Sequence, residues 1–222
     1  MGSSMIQLII LAGIALFLIL RLRSVLGTRD GFEKKPQIDP KTISSRADGR
    51  NLEVIEGGAI DHDIADFIDE KGESGLALAA MKAIELNFSV AAFAQGARQA
   101  YEMLVMAFEH GDLVTLQKYL SPEVYESFAA IIETRRKNNW TVEASFVGIR
   151  EVKVTAAEMD KQSREADITV RFVAELTSVV RDAVANVIEG DAKAIKRQKD
   201  VWTFSRVMGS SDPNWVLVAT GA

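Results

Sequence analysis

The hydrophobic residues between Phe93 and Ile132 recur at steps of three and four, the spacing of helices that bury one face. One or two residues separate three successive apolar stripes. Gly111 suits a left-handed helix end, and Asp112 and Ser121-Pro122 have the chemistry of helix starts. The pattern therefore predicts three helices that fold back on one another.

The period changes to two after the third helix, which predicts strands. The clearest alternation covers residues 166–176, and Gly148 marks a bulge or bend in the strand before it. We place a turn at Glu189-Gly190-Asp191, a returning strand over Lys193 to Met208, and a short final strand from Trp215. Helices followed by strands predict an α+β domain, with helices packed on one face of a long, bent antiparallel sheet of about four strands. Such a sheet forms a cone with an apolar mouth.

The N-terminal region predicts a single membrane-spanning helix over residues 5–26. Met5 to Leu20 contains no charged residue, and arginines that snorkel to the interface allow the apolar segment to continue to Leu26. Positive charges follow this segment and none precedes it, which favours an uncleaved anchor over a signal peptide and places the bulk of the chain in the cytoplasm. The cations expected at the membrane interface are Arg21, Arg23, Arg29, Lys34 and Lys35.

Two segments join this anchor to the predicted domain of residues 89–222. Residues 27–60 are rich in Gly, Pro and Ser and predict a flexible linker, whose first part either lies on an anionic membrane leaflet or is simply solvated. Residues 61–88 predict amphipathic lead-in helices. These helices dock either on their own domain or on a membrane or partner.

The composition narrows the chemistry that the chain can perform. The chain has no cysteine and two histidines, which argues against disulfides, thiolate sites and histidine-based metal sites. A net charge of −5 argues against nucleic-acid binding, although Arg135-Arg136-Lys137 and Lys193, Lys196, Arg197 and Lys199 form two basic clusters. We find no phosphate loop, dinucleotide fingerprint or nucleophile elbow, and expect no cofactor.

The apolar mouth of the predicted cone is the candidate binding pocket, lined by Phe88, Phe93, Tyr101 and Trp202. An enzyme of this fold class would need a base in an apolar pocket. The candidates are Tyr101 and Tyr125 as hydrogen-bond donors and Asp167 or Asp200 as the base. The simpler interpretation places these residues in the core or on a polar strand face, and we expect no catalytic residue.

Three runs of the sequence resemble the hallmark segment of the Tim44-like domain family. They are Gly96-Ala97-Arg98-Gln99-Ala100-Tyr101-Glu102, Ala107-Phe108-Glu109-His110-Gly111-Asp112 and Leu120-Ser121-Pro122-Glu123-Val124-Tyr125-Glu126-Ser127-Phe128. The segments around Trp202 and Trp215 resemble the C-terminal end of this domain, so the resemblance covers roughly residues 75–222. The apolar anchor with its arginines resembles the bacterial members.

The resemblance implies a cystatin-like or nuclear-transport-factor-two-like cone that works as an adaptor at the bacterial inner membrane. The mitochondrial member tethers a heat-shock chaperone to the inner-membrane translocase and binds lipid. For this chain the resemblance implies a chaperone or translocation component as partner, with a homo-oligomer also open. The alternatives are a small-ligand-binding or lipid-binding cone, an enzyme of the same fold, or an RNA-associated protein.

Overall fold

The computed structural model describes residues 61–221. The predicted anchor (5–26), the linker (27–60) and the interfacial cations Arg21, Arg23, Arg29, Lys34 and Lys35 lie outside the described residues. Within residues 61–221 no helix combines the length and apolar character needed to cross a membrane.

In the described part of the chain five helices precede the strands, and the last three are those that the apolar stripes predict. Gly111 ends the first of these three with a φ of 68°, and the side chain of Asp112 accepts two backbone N–H groups of the next helix. Ser121 caps the third, which starts at Pro122. The helices are α1 (His62–Ala65), α2 (Glu73–Ile84), α3 (Val90–His110), α4 (Leu113–Tyr119) and α5 (Pro122–Lys137).

Four strands form one antiparallel sheet in the order β1-β2-β3-β4. The pairing of β1 with β2 shifts register between Phe146 and Gly148, which confirms the irregularity predicted at this glycine. Two further shifts follow in the same strand. The strands are β1 (Thr141–Met159), β2 (Glu165–Arg181), β3 (Val187–Val207) and β4 (Val216–Gly221).

The predicted turn at Glu189-Gly190-Asp191 is wrong, because these residues lie inside β3. The chain turns instead at residues 182–186, where the Asp182 carboxylate accepts the N–H groups of Val184 and Asn186. Gly190 lies beside a long bulge, and its φ of 79° is one that glycine tolerates better than any other residue. The misassignment has a physical reason: a positive φ serves a bulge as well as a turn, and the sequence signal for the two is the same.

We expect Gly190→Ala to lower the free energy of unfolding by at least about 1–2 kcal/mol, the cost of a left-handed alanine. The added Cβ would also lie 2.1 Å from the Ser178 carbonyl oxygen, so backbone must move. Gly96→Ala is the matched control, because a Cβ there meets no atom of residues 61–221 within 4 Å. In a helix this control should raise stability by up to about 1 kcal/mol. Urea unfolding of both variants tests the prediction, which fails if they shift in the same direction.

The helices cover one face of the sheet. A single hydrophobic core contains residues of every helix and strand named above, and its β2 members are all even-numbered residues. Leu78 and Met81 of α2 are fully buried in this core, and Ser74 at the start of α2 accepts the backbone N–H of Ala157 in β1. The lead-in segment therefore docks on its own domain, the first of the two alternatives considered for it.

Candidate functional site

An open groove of about 540 Å³ runs beside α3. One wall is a face of α3, and the other is formed by β3, the β3–β4 loop and the end of α4. Aromatic rings line it, with the Phe93 and Trp215 ring centroids 4.8 Å apart in an edge contact and Phe88 6.2 Å from Trp215. The groove therefore offers an apolar, aromatic surface of the kind that binds ligands or partner side chains.

Helix α3 supplies the groove wall because its sequence carries two adjacent stripes. Buried residues such as Phe93, Ala97 and Tyr101 face the core. The neighbouring stripe lies along the groove and is made of small residues followed by a flexible apolar one: Ala92, Gly96, Ala100 and Met103. Small side chains keep this wall of the groove low.

An ion pair lines the groove at the segment that leads into α3. Arg206 donates to the Glu85 carboxylate at 2.5 Å, and Glu85 also accepts the backbone N–H of Gly209 at 2.6 Å. Burial raises the pKa of Glu85, but the hydrogen bonds from Gly209 and Arg206 outweigh it and the net shift is downward. The Arg206 guanidinium lies 5.1 Å from the Trp215 ring centroid, within cation–π range.

Arg206 has an unused hydrogen-bond donor. Its side chain is 9% exposed, and its Nε finds no acceptor among the described residues. The other guanidinium nitrogens reach Glu85, the Pro213 carbonyl oxygen and the Met208 sulfur. A buried donor without an acceptor carries a free-energy cost.

Asp63 in α1 fixes the start of α3, where the groove begins. Its carboxylate accepts the backbone N–H groups of Val90 and Ala91 at 2.9 and 3.0 Å, the Ser89 hydroxyl at 2.9 Å and the Lys82 ammonium at 2.9 Å. Burial raises the pKa of this carboxyl, but these hydrogen bonds prevail and lower it to about 2. The negative charge of Asp63 therefore stabilises the first turn of α3, because the N-terminus of a helix carries a partial positive charge.

The four residues predicted to line the pocket divide into two pairs. Phe88 and Phe93 line the groove. Tyr101 and Trp202 lie in the closed core, where the Tyr101 ring centroid is 4.6 Å from that of Trp202 and 4.4 Å from that of Phe172. Tyr101 belongs to the same helix stripe as Phe93 but lies two turns further along, beneath the sheet.

Of the residues considered for catalysis, the structure brings together Tyr101 and Asp200. The Tyr101 hydroxyl donates to the Asp200 carboxylate, and the Gln198 amide donates to both groups at 2.8 and 2.9 Å. Burial first, and then the Asp200 carboxylate, raise the pKa of Tyr101 far above its usual value, so the phenol remains a hydrogen-bond donor. Tyr101 is fully buried and does not border the groove, while Tyr125 lies on α5 and Asp167 on β2.

The basic residues are partly engaged within the fold. The Arg135 guanidinium lies 4.6 Å from the Phe108 ring centroid, and Arg136 donates to the Gly111 carbonyl oxygen at the end of α3. In β3, Arg197 pairs with Glu175 at 2.8 Å. Arg135 and Arg136 therefore link the end of α5 to the end of α3, and Arg197 links β3 to β2.

Sequence reasoning missed several groove residues. The sequence pattern assigns Trp215 to a strand and gives no sign that it borders a groove. Arg206 and Glu85 are 121 positions apart, so no local pattern predicts their ion pair. Gly96 carried a usable signal, because a glycine inside a strong helical pattern lowers helix stability unless packing or function requires it. Met103 lies at the edge of the buried stripe and is 36% exposed. The hydrophobic periodicity alone does not distinguish such an edge position from a core position.

Comparison with known proteins identifies the family. The family model described as the Tim44-like domain matches residues 74–222. No curated protein matches the chain significantly. The crystal structure of the intermembrane space region of the chloroplast protein ARC6 aligns with a TM-score of 0.37 and 8% identity, over 56% of this chain and 94% of that chain. The family match covers well over half of the sequence, and the chain therefore belongs to the Tim44-like domain family.

Proposed function

We propose that the chain is an adaptor, anchored in the bacterial inner membrane, whose cytoplasmic domain holds a protein partner in the groove beside α3. The observation that carries this proposal is the aromatic surface of Phe88, Phe93 and Trp215, which borders an open groove. Membership of the Tim44-like family supports it, because this is a family of membrane-associated adaptors. The resemblance favours a chaperone or translocation component as the partner.

The chemistry of the groove suits binding better than catalysis. Among residues 61–221, only two charged side chains line it, Glu85 and Arg206, and they are bonded to each other. Neither is placed as a free acid or base facing an apolar substrate, which a proton-transfer enzyme of this fold class would require. The remaining lining is mainly aromatic, small or amide side chains that recognise shape and hydrogen bonds.

In-cell photocrosslinking tests the partner. A photoreactive residue at Gln99, which is exposed and lines the groove, should capture one identifiable protein reproducibly. The matched control is Gln117, which is exposed on α4 and does not line the groove, and should not capture it. Capture of lipid alone at Gln99 would replace the adaptor by the lipid-binding alternative.

If the chain tethers its partner, the partner should be found in the same cell fraction, membrane or soluble, as the chain itself. We expect Leu11→Arg to release the chain from membranes, because a charge in the middle of a spanning segment costs about 3 kcal/mol. The captured protein should then move to the soluble fraction with it, whereas Leu11→Val should leave both on the membrane. Separation of membranes at neutral pH locates both proteins, and carbonate extraction tests the anchor alone. A Leu11→Arg variant that stays in carbonate-resistant membranes would contradict the anchor.

A further inference from the structure

We infer that the occupant of the groove is an amphipathic helix of the partner protein, which crosses α3 over Gly96. This inference rests on the proposed function, since it assumes that a partner binds in the groove. It adds the shape of the bound segment, the place where it approaches most closely and its direction.

Gly96 is the first argument, because the fold itself gives no reason for a glycine there. It lies inside the 21-residue helix α3, it is exposed, and a Cβ built on it meets no atom of the described part of the chain within 4 Å. A glycine at such a position weakens the helix relative to alanine. A second backbone that approaches α3 from the groove would make use of the missing side chain.

The spacing of the wall residues is the second argument. Ala92, Gly96 and Ala100 are four residues apart and all line the groove. Rows at this spacing form the shallow furrow into which a second helix packs, and small residues let two helix axes approach closely. From Ser89 to Met103 the wall is about 21 Å long, at 1.5 Å per residue, which matches a helix of about four turns.

A helix also fits this wall better than an extended segment does. Segments in the β-strand conformation bind mainly by pairing their backbone with the free edge of a strand. The long wall here is α3, whose interior N–H and C=O groups already bond within the helix and offer no such pairing. Side-chain packing is what this wall can provide, and it is what one face of an amphipathic helix supplies.

Arg206 gives the bound helix a direction. The last carbonyl groups of a helix lack partners within it and carry partial negative charge. Arg206 lines the groove and is bonded to Glu85, which lies in the segment just before α3. A partner helix whose C-terminal end arrives there would place its carbonyl groups beside the guanidinium, and it would run antiparallel to α3, so that the two helix dipoles oppose.

Selection of peptides on the full chain tests the inference. A library of random 16-residue peptides is selected on the chain held in phosphatidylcholine nanodiscs, with empty nanodiscs removing background. We expect the enriched peptides to share apolar residues at steps of three and four. Gly96→Leu, which fills the furrow, should weaken their binding about tenfold or more.

The matched control is Gln95→Leu, which adds a similar side chain at an exposed position of α3 outside the groove and should leave binding within about twofold. Circular dichroism checks that both variants fold. The inference is overturned if the enriched peptides alternate with a period of two, if Gly96→Leu has no effect on binding, or if no peptide is enriched. A partner captured from Gln99 in cells would leave the adaptor role standing in each of these cases, so the two proposals fail separately.

Discussion

Replacement of Tyr101 by alanine is expected to lower the free energy of unfolding by about 3–5 kcal/mol, the range for removing a large buried aromatic side chain. Tyr101 is fully buried, and its ring packs against those of Phe172 and Trp202. The surrounding rings belong to strands on which α3 rests, so the cavity cannot collapse without moving the sheet. Urea unfolding followed by tryptophan fluorescence measures the loss.

Tyr101→Phe separates the ring from its hydroxyl. This variant keeps the packing but removes the donor to Asp200, which then retains the Gln198 amide. We expect a loss of about 1–2 kcal/mol, the usual cost of one buried hydrogen bond. If the phenylalanine variant were as unstable as the alanine variant, the polar group rather than the ring would stabilise the core.

The second large effect is expected at Asp63, where Asp63→Asn should lower the free energy of unfolding by about 2 kcal/mol near neutral pH. The folded-state pKa of about 2 lies below the ordinary value of 3.8, so the ionised carboxylate stabilises the folded chain. This contribution is complete above about pH 5 and is lost as the pH falls through about 2. Its side chain is 23% exposed, so solvent screens the interaction only in part.

Urea unfolding at several pH values tests this assignment. The difference in stability between the natural chain and Asp63→Asn should shrink as the pH falls from about 5 to about 2.5. Asp66→Asn is the control, because Asp66 is exposed at the end of α1 and should shift stability by less than about 0.5 kcal/mol. A difference that stays constant with pH would mean that the loss at Asp63 does not come from its charge.

The helices could be predicted closely because their ends carry local signals. Gly111, Asp112 and Ser121 each satisfy backbone groups within a few residues of themselves, so the sequence around them is sufficient. The β2–β3 turn failed for the opposite reason. Gly190 meets a requirement set by Ser178 on the neighbouring strand, and a partner at that distance is invisible in a local pattern.

The groove could be predicted only in part. Phe88 and Phe93 lie near the start of the main helical pattern, where an apolar mouth is expected, and both line it. Tyr101 and Trp202 are also aromatic, but they face each other across the core and do not line the groove. Whether an aromatic residue of α3 lies near the surface depends on whether the sheet covers that part of the helix. The strand pairing that sets the extent of the sheet involves residues far apart in the sequence.

The two walls of the groove come from distant parts of the sequence, and this determines when the groove can form during synthesis. One wall belongs to α3, whereas Phe204, Arg206 and Trp215 of the other wall lie about a hundred residues later. A ribosome that has translated as far as β2 has released the first wall without the second. The partner that we propose could therefore bind only chains whose last strands have emerged, and unfinished chains present the α3 surface without the aromatic wall that completes the site.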